Sequence, residues 1–429
     1  MKVRAVAVVV SVVVGALSPF ARAQSPQTLT LEQARALAMQ NQPVIREARF
    51  NTQRVSQTIR EARSAYFPAA VINLTGVDAL KNSSLAAGAL NNSTISDRYS
   101  NGGAIGQLIT DFGRTGNLVK TAKYRLSAAH AGEEAVVEDA ALRVTQAYFQ
   151  ALQSQALLKV AEETVKARKA VADQVSALAK HQLKSGLDLS FANVNLAQAR
   201  LLESAAANDV ESSQAELSAA MGFATLRTFQ LIEPPLPAPP LEDISNLISQ
   251  AYARRPEMAR ERSALQAAQS FARAERDLAL PTLSSAAVAG ETPVRQSSVA
   301  SHYAAAGFNV SIPIFNGHLF SARRAEAQLQ AQAQSEALQA LQVQIARDVR
   351  TAWLRAKTAY DRLSLTQQLL EQAKLSLNLA AARYQLGLSS IVELTQAQLN
   401  YTEAEIQQTS ALYEYQIDSA RLQYETGNL

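Results

Sequence analysis

The sequence predicts a mainly α protein with a small β part, laid out as two copies of one pattern. Three observations predict it. Prolines divide the chain into halves, apolar positions within each half recur at coiled-coil spacing, and each half holds one pair of short alternating segments. After Pro43 and Pro68 no proline appears until Pro234, where "EPPLPAPPLED" (233–243) forms a stiff connector, and none follows Pro313. A first repeat at 24–232 is thereby separated from a second at 241–429 by a Pro-rich linker at 233–240.

The halves agree in order. "TLEQARALAMQNQPVIREAR" opens the first and "LEDISNLISQAYARRPEMARER" the second. Each is a short helix followed by a longer one, with Pro43 or Pro256 in its first turn, where a missing N–H is no loss. Pro68 and Pro281 then stop the helix and open a strand. "QLITDFGRTGNLV" matches "VSIPIFNGHLFSA" as strand, Phe, Gly and helix, which pairs Asp111-Phe112-Gly113 with Phe315-Asn316-Gly317. Long helical runs follow, each interrupted by one Gly-Leu pair, Gly186-Leu187 and Gly387-Leu388, and each half ends at a glycine, Gly222 or Gly427.

From Leu338 to Tyr384 a mostly apolar stripe recurs at about 3.5 residues per step, the repeat of a coiled coil, with Thr366 its polar member and alanine frequent. Val137, Val144, Ala151, Leu158 and Val165 carry the same spacing in the first half. A single helix from Leu118 to Ser185 would run roughly 100 Å at 1.5 Å per residue and needs partners along its length. Gly186 and Gly387 each mark either a flaw in one very long helix or the turn where a helix doubles back, a left-handed turn that glycine permits.

Strands are expected at 69–77 and 103–110 in the first repeat and at 282–290 and 302–315 in the second. Each is near the length that crosses a bilayer, with small residues and alternation suited to a barrel wall. Four strands cannot close a membrane barrel, and open edges are not tolerated in lipid, so several chains would have to share one barrel.

Residues 1–23 read as a secretory signal: Lys2 and Arg4, an apolar run from Ala5 to Leu17 too short to span a bilayer, and Ala21-Arg22-Ala23 for cleavage. Loss of Lys2, Arg4 and Arg22 lowers the formal net charge from +4 to +1, which removes the electrostatic basis for a nucleic-acid partner. The chain has no cysteine, which excludes thiolate chemistry, disulfides and a lipobox anchor. "DFG" at 111–113 stands alone and reads as a strand-to-helix turn, "NGGAIG" opens no helix, His130, His181, His302 and His318 lack metal-ligand spacing, and Arg323-Arg324 begin a helix. No enzymatic constellation and no cofactor site emerges.

The ordered, duplicated set "IPIFNGHLFSARRAEAQ" (312–328), "YQLGLSSIVELTQAQLNY" (384–401) and "KSGLDLSFANVNLAQARL" (184–201), with a terminal glycine in each half, resembles the outer-membrane efflux protein family, the TolC-type channel-tunnels of Gram-negative bacteria. The resemblance covers essentially the whole mature chain. It implies a homotrimer whose four strands per chain build a 12-stranded outer-membrane barrel set in lipid, continued by a long α-helical coiled-coil barrel across the periplasm. It implies that the long helices double back at hairpin tips, here Ser185-Gly186-Leu187-Asp188 and Leu386-Gly387-Leu388-Ser389, where a periplasmic adaptor docks, and that an inner-membrane pump of RND, ABC or MFS type supplies energy. In related channels two acids three apart form rings at the closed aperture. Here Glu393 matches the first and Gln396 replaces the second, so one carboxylate ring is expected. Tyr384 matches a tyrosine that clamps the aperture, but Ser389 stands where a basic residue is expected, so a packing role for Tyr384 is an equal reading. The competing function class is a structural coiled-coil protein of the periplasm or surface, which explains the helices but leaves the duplicated strand pairs without a purpose.

Overall fold

The computed structural model describes residues 27–78, 84–87, 90–94, 98–292 and 300–429. The expected signal peptide at 1–23 and parts of both strand-to-strand loops lie outside the described residues. In chain order the elements are β1 (Gln27–Leu29), α1 (Leu31–Asn41), α2 (Pro43–Ser64), β2 (Ala69–Val77), β3 (Ser84–Ala87), β4 (Leu90–Thr94), β5 (Arg98–Thr110), α3 (Arg114–Lys180), α4 (Gly186–Ala220), β6 (Phe229–Leu231), α5 (Ile244–Arg254), α6 (Pro256–Arg276), β7 (Thr282–Glu291), β8 (His302–Ser311), α7 (Leu319–Gln385) and α8 (Ile391–Glu425).

The duplication is metric. α3 and α7 each have 67 residues, and α4 and α8 each have 35. Every boundary of α7 and α8 stands 205 residues beyond that of α3 and α4: 319 against 114, 385 against 180, 391 against 186, 425 against 220. The buried heptad alanines obey the same offset, with Ala192, Ala199 and Ala206 on α4 answered by Ala397, Ala404 and Ala411 on α8. Alanine at these seams lets two long helices approach closely, and the contact is repeated each heptad instead of being concentrated in one core. Thr366, the polar member of the α7 stripe, is buried but satisfied: its hydroxyl donates to Arg362 O at 2.8 Å and reaches Gln408 Oε1 at 2.6 Å.

Local chemistry starts and stops these helices. Thr30 caps α1 in a reciprocal box with Gln33, and Pro43 and Pro256 occupy the first positions of α2 and α6. Asp111 is buried at the entry to α3, where its carboxylate accepts from Thr115 N at 2.6 Å and from Gly113 N at 3.2 Å. The "DFG" stretch is thus a strand-to-helix turn. Its counterpart under the 205-residue offset is Asn316, whose Oδ1 accepts from Phe320 N, so the match shifts by one residue from the expected pairing with Phe315.

The main sheet is antiparallel in the order β2-β5-β7-β8, so the two repeats meet along β5 and β7. β2 and β8 form its edges, with no strand beyond either among the described residues. β5 is longer than expected, starting at Arg98, and β8 is shorter, ending at Ser311. Pro313, which cannot donate to a ladder, lies just past that end. β3 and β4 pair as a small hairpin between the expected strands of the first repeat, and β1 pairs in parallel with β6, tying the start of the described chain to the stretch just before the linker.

Candidate gate at the hairpin tips

The two long hairpins turn by the same backbone device. In the second, Gly387 has φ +72°, its N–H donates to Tyr384 O at 3.1 Å, and Leu388 N donates to Arg383 O at 2.8 Å. This is a Schellman cap, whose left-handed residue favours glycine. In the first hairpin the left-handed residue is Gln182, at φ +59°, with Gln182 N donating to Ala179 O and Leu183 N to Leu178 O. Gly186, expected to be the turning residue, instead opens α4. Ser185 is the N-cap, accepting from Asp188 N while the Asp188 carboxylate accepts from Ser185 N, both at 3.1 Å. Ser-x-x-Asp is a capping signature, and it explains why this glycine sits past the turn. The structural partner of Gly387 is Gln182, and that of Gly186 is Ile391.

The tips present apolar side chains to solvent. Leu183, Leu187, Leu386 and Leu388 are all exposed. Ser389 Oγ is buried without a hydrogen-bond partner, and Ser390 caps α8 by accepting from Glu393 N.

Tyr384 lies between the hairpins. It is 5% exposed and packs with Val175, Ala172, Ala192, Ile391 and Leu394. Lys184 Nζ sits 4.2 Å from its ring centroid, a cation–π contact from the first tip onto the second hairpin. Its hydroxyl has no hydrogen-bond partner. Burial first, and then the Asp188 charge, raises the hydroxyl above its ordinary ionisation range.

Glu393 and Gln396 line a different place, an open groove between α7 and α8 together with Arg383, Val392, Ala397 and Asn400. Arg383 Nε lies 3.3 Å from Glu393 Oε1, and Gln396 Nε2 donates to Asn400 Oδ1 at 2.9 Å. A basic side chain thus stands beside Glu393 from α7, before the turn, and not from position 389. Of the expected gate residues, Tyr384 meets Lys184 and the apolar side chains of the first hairpin, whereas Glu393 and Gln396 share the groove. Sequence reasoning missed Lys184, Arg383 and two further ties between the hairpins. Asn195 donates to Thr395 Oγ1 at 2.9 Å, and buried Arg168 donates to Gln398. Burial lowers the Arg168 guanidinium to about 10.

The family profile described as outer membrane efflux protein matches this chain twice, over residues 34–223 and 247–428. The chain belongs to that family. The match falls once on each repeat. Protein CyaE of Bordetella pertussis is 24% identical over 403 residues, covering 92% of this chain and 82% of CyaE. Outer membrane protein TolC of Salmonella enteritidis is 25% identical over 123 residues, 29% of this chain and 25% of TolC. Among solved structures, CusC superposes with a TM-score of 0.81 at 20% identity, covering 93% of this chain and 92% of that one. The channel CmeC of Campylobacter jejuni superposes at 0.78 with 17% identity, over 93% and 85%. The fold is that of TolC-like channels, a long helical barrel with a β-barrel contribution. An outer membrane efflux protein of this kind is a transport conduit and not an enzyme.

Proposed function

We propose that three copies of this chain form the outer-membrane exit duct of a tripartite efflux pump or type I secretion system. The carrying observation is the four-stranded sheet. Its edges β2 and β8 have no partner strand among the described residues, and its strands have bilayer-crossing length. Such edges are not stable in lipid, and three such sheets joined edge to edge make a 12-stranded barrel with none. The helices then extend into the periplasm from the ends of the strands. The duct is passive: an inner-membrane pump, of RND, ABC or MFS type, supplies the work through a periplasmic adaptor.

The tips are the proposed gate and docking point. Leu183, Leu187, Leu386 and Leu388 offer apolar knobs to an adaptor, and Tyr384 holds the two hairpins together. Purified protein in mild detergent should run as a trimer and conduct in planar bilayers. A monomer recovered from soluble periplasm, without conductance, would instead support a structural coiled-coil protein.

A further inference from the structure

We propose that Gly102 and Gly290 form a flat seat for Tyr303 on the lumen wall, and that this seat keeps the outer mouth of the barrel wide. The inference rests on the channel reading above.

Cross-strand pairs assign the two faces of the sheet, because directly paired residues share a face and alternate residues oppose it. Ile72, Leu74, Ile105, Phe308 and Val310 fall on one face, all exposed and large, as a lipid-facing surface requires. The other face carries Asn73, Thr75, Ser284 and Asn309 with glycines and alanines, and Val71, Val288 and Leu108 as its larger apolar members. The first face also carries Asn101, Gln107, Glu291 and His302 toward the strand ends, but it holds most of the large apolar side chains, so the second face is assigned to the lumen. Asn73, Gly102, Gly290 and Tyr303 form one row across it, in register over all four strands. The row lies one step from the Glu291–His302 end of β7 and β8. The helices attach at the opposite end, so the row sits at the outer mouth.

Tyr303 lies down across both glycines. A methyl group on Gly102 would overlap the phenolic oxygen of Tyr303 and come within 3.3 Å of its ring carbon Cζ. A methyl group on Gly290 would overlap Tyr303 and also the backbone carbonyl of Asn101. Gly102 is the cleaner probe, because its severe overlap is with the far end of a side chain that can rotate away, whereas the backbone oxygen of Ala289 stands off at 3.3 Å. That rotation leads off the wall into the lumen. In a trimer it would happen three times around the mouth.

The test is polymer exclusion. Polyethylene glycols of graded size are added on the outer side of wild-type, Gly102→Ala and Gly102→Ala/Tyr303→Ala trimers in planar bilayers, and the largest that lowers the conductance is recorded. The expected result is loss of entry of the largest polymers in Gly102→Ala and their re-entry in the double variant. An unchanged cut-off in Gly102→Ala, or a reduced cut-off that persists in the double variant, overturns the proposal. If Gly102→Ala yields no trimer, recovery of trimers in the double variant supports the seat and continued failure refutes it. A wild-type protein that does not conduct refutes the channel reading itself, whereas a conducting wild type with an unaltered Gly102→Ala cut-off refutes only the seat.

Discussion

Arg383 and Glu393 form an ion pair across the second hairpin turn, Nε to Oε1 at 3.3 Å, with both side chains about half exposed. Glu393 was expected to stand as a bare carboxylate, repeated by symmetry into a ring. With Arg383 beside it and neutral Gln396 in the same groove, the proposed aperture carries matched charge. Arg383→Gln should therefore raise cation preference in single-channel currents, by unmasking the carboxylates. Glu393→Gln should shift the current toward anions. An exposed pair of this kind contributes about 0.2–1 kcal/mol, so neither variant should change thermal stability much. If Arg383→Gln leaves the reversal potential unmoved, these residues do not line the conduction path.

The unpartnered Tyr384 hydroxyl separates the two roles considered for this residue. If the phenol clamps the gate through a hydrogen bond, Tyr384→Phe should open it. The structure gives that hydroxyl no partner and seats the ring among Val175, Ala192, Ile391 and Leu394. Removing an unsatisfied buried hydroxyl while keeping the ring is expected to be neutral or slightly stabilising. Tyr384→Phe should thus retain wild-type closed-state conductance. Tyr384→Ala should lose about 3–5 kcal/mol of packing locally and raise conductance by freeing the hairpins. A leaky Tyr384→Phe channel would restore the clamp reading.

The cap geometry predicts opposite responses at matched turns. Gly387 adopts φ +72° without strain, so Gly387→Ala should destabilise its hairpin by about 1 kcal/mol. Gln182 holds φ +59° with a β-carbon in place, so Gln182→Gly should relieve a comparable cost, partly offset by the greater freedom of glycine in the unfolded chain. Hydrogen exchange at the last turns of α3 and α7 would read both changes. Opposite shifts in protection, the gain in Gln182→Gly the smaller, support the matched caps, and a Gln182→Gly that loosens α3 contradicts them.

Much of the fold was legible because its signals are periodic. The heptad stripe of α7, the prolines opening α2 and α6, and the terminal glycines each act through local geometry that a sequence displays directly. The first tip was misassigned for a physical reason. Glycine was taken as the sign of a left-handed residue, but here a glutamine occupies that conformation, and Ser185-x-x-Asp188 places Gly186 inside the next helix. The cross-hairpin contacts of Lys184, Arg168 and Asn195 join residues roughly 200 positions apart. No local periodicity encodes such pairs. The Arg383–Glu393 pair was nearer to hand, since both residues lie within two helical turns of Gly387 on the two helices of one hairpin.

The ends of the repeats show how one architectural joint can be held by two chemistries. Gly222, at φ +84°, rests against the Asn41–Gln42 peptide, where an added methyl would come within 2.7 Å of Asn41 C. Gly427, at φ +71°, rests in the same way on Arg254 and Arg255. In the first repeat the residue before the helix-opening proline, Gln42, donates to Ala219 O at the end of α4 at 2.9 Å. In the second, Arg255 occupies that place. It is 8% exposed and bonds Glu425 on α8 at 2.7 Å and Glu257 at 2.9 Å. Burial, partly countered by Arg255, raises the Glu425 carboxyl above its ordinary range, so this acid depends on its partner. Arg255→Met should leave Glu425 buried without its guanidinium and destabilise the joint by about 3–5 kcal/mol. Gln42→Met removes only neutral hydrogen bonds and should cost about 1–2 kcal/mol. Arg255→Met with Glu425→Leu should recover much of the loss, because an apolar pair can replace a buried ion pair. The temperature at which trimers dissociate measures all four proteins. If Arg255→Met is no worse than Gln42→Met, the ion pair contributes no more than the amide contacts that stand in its place.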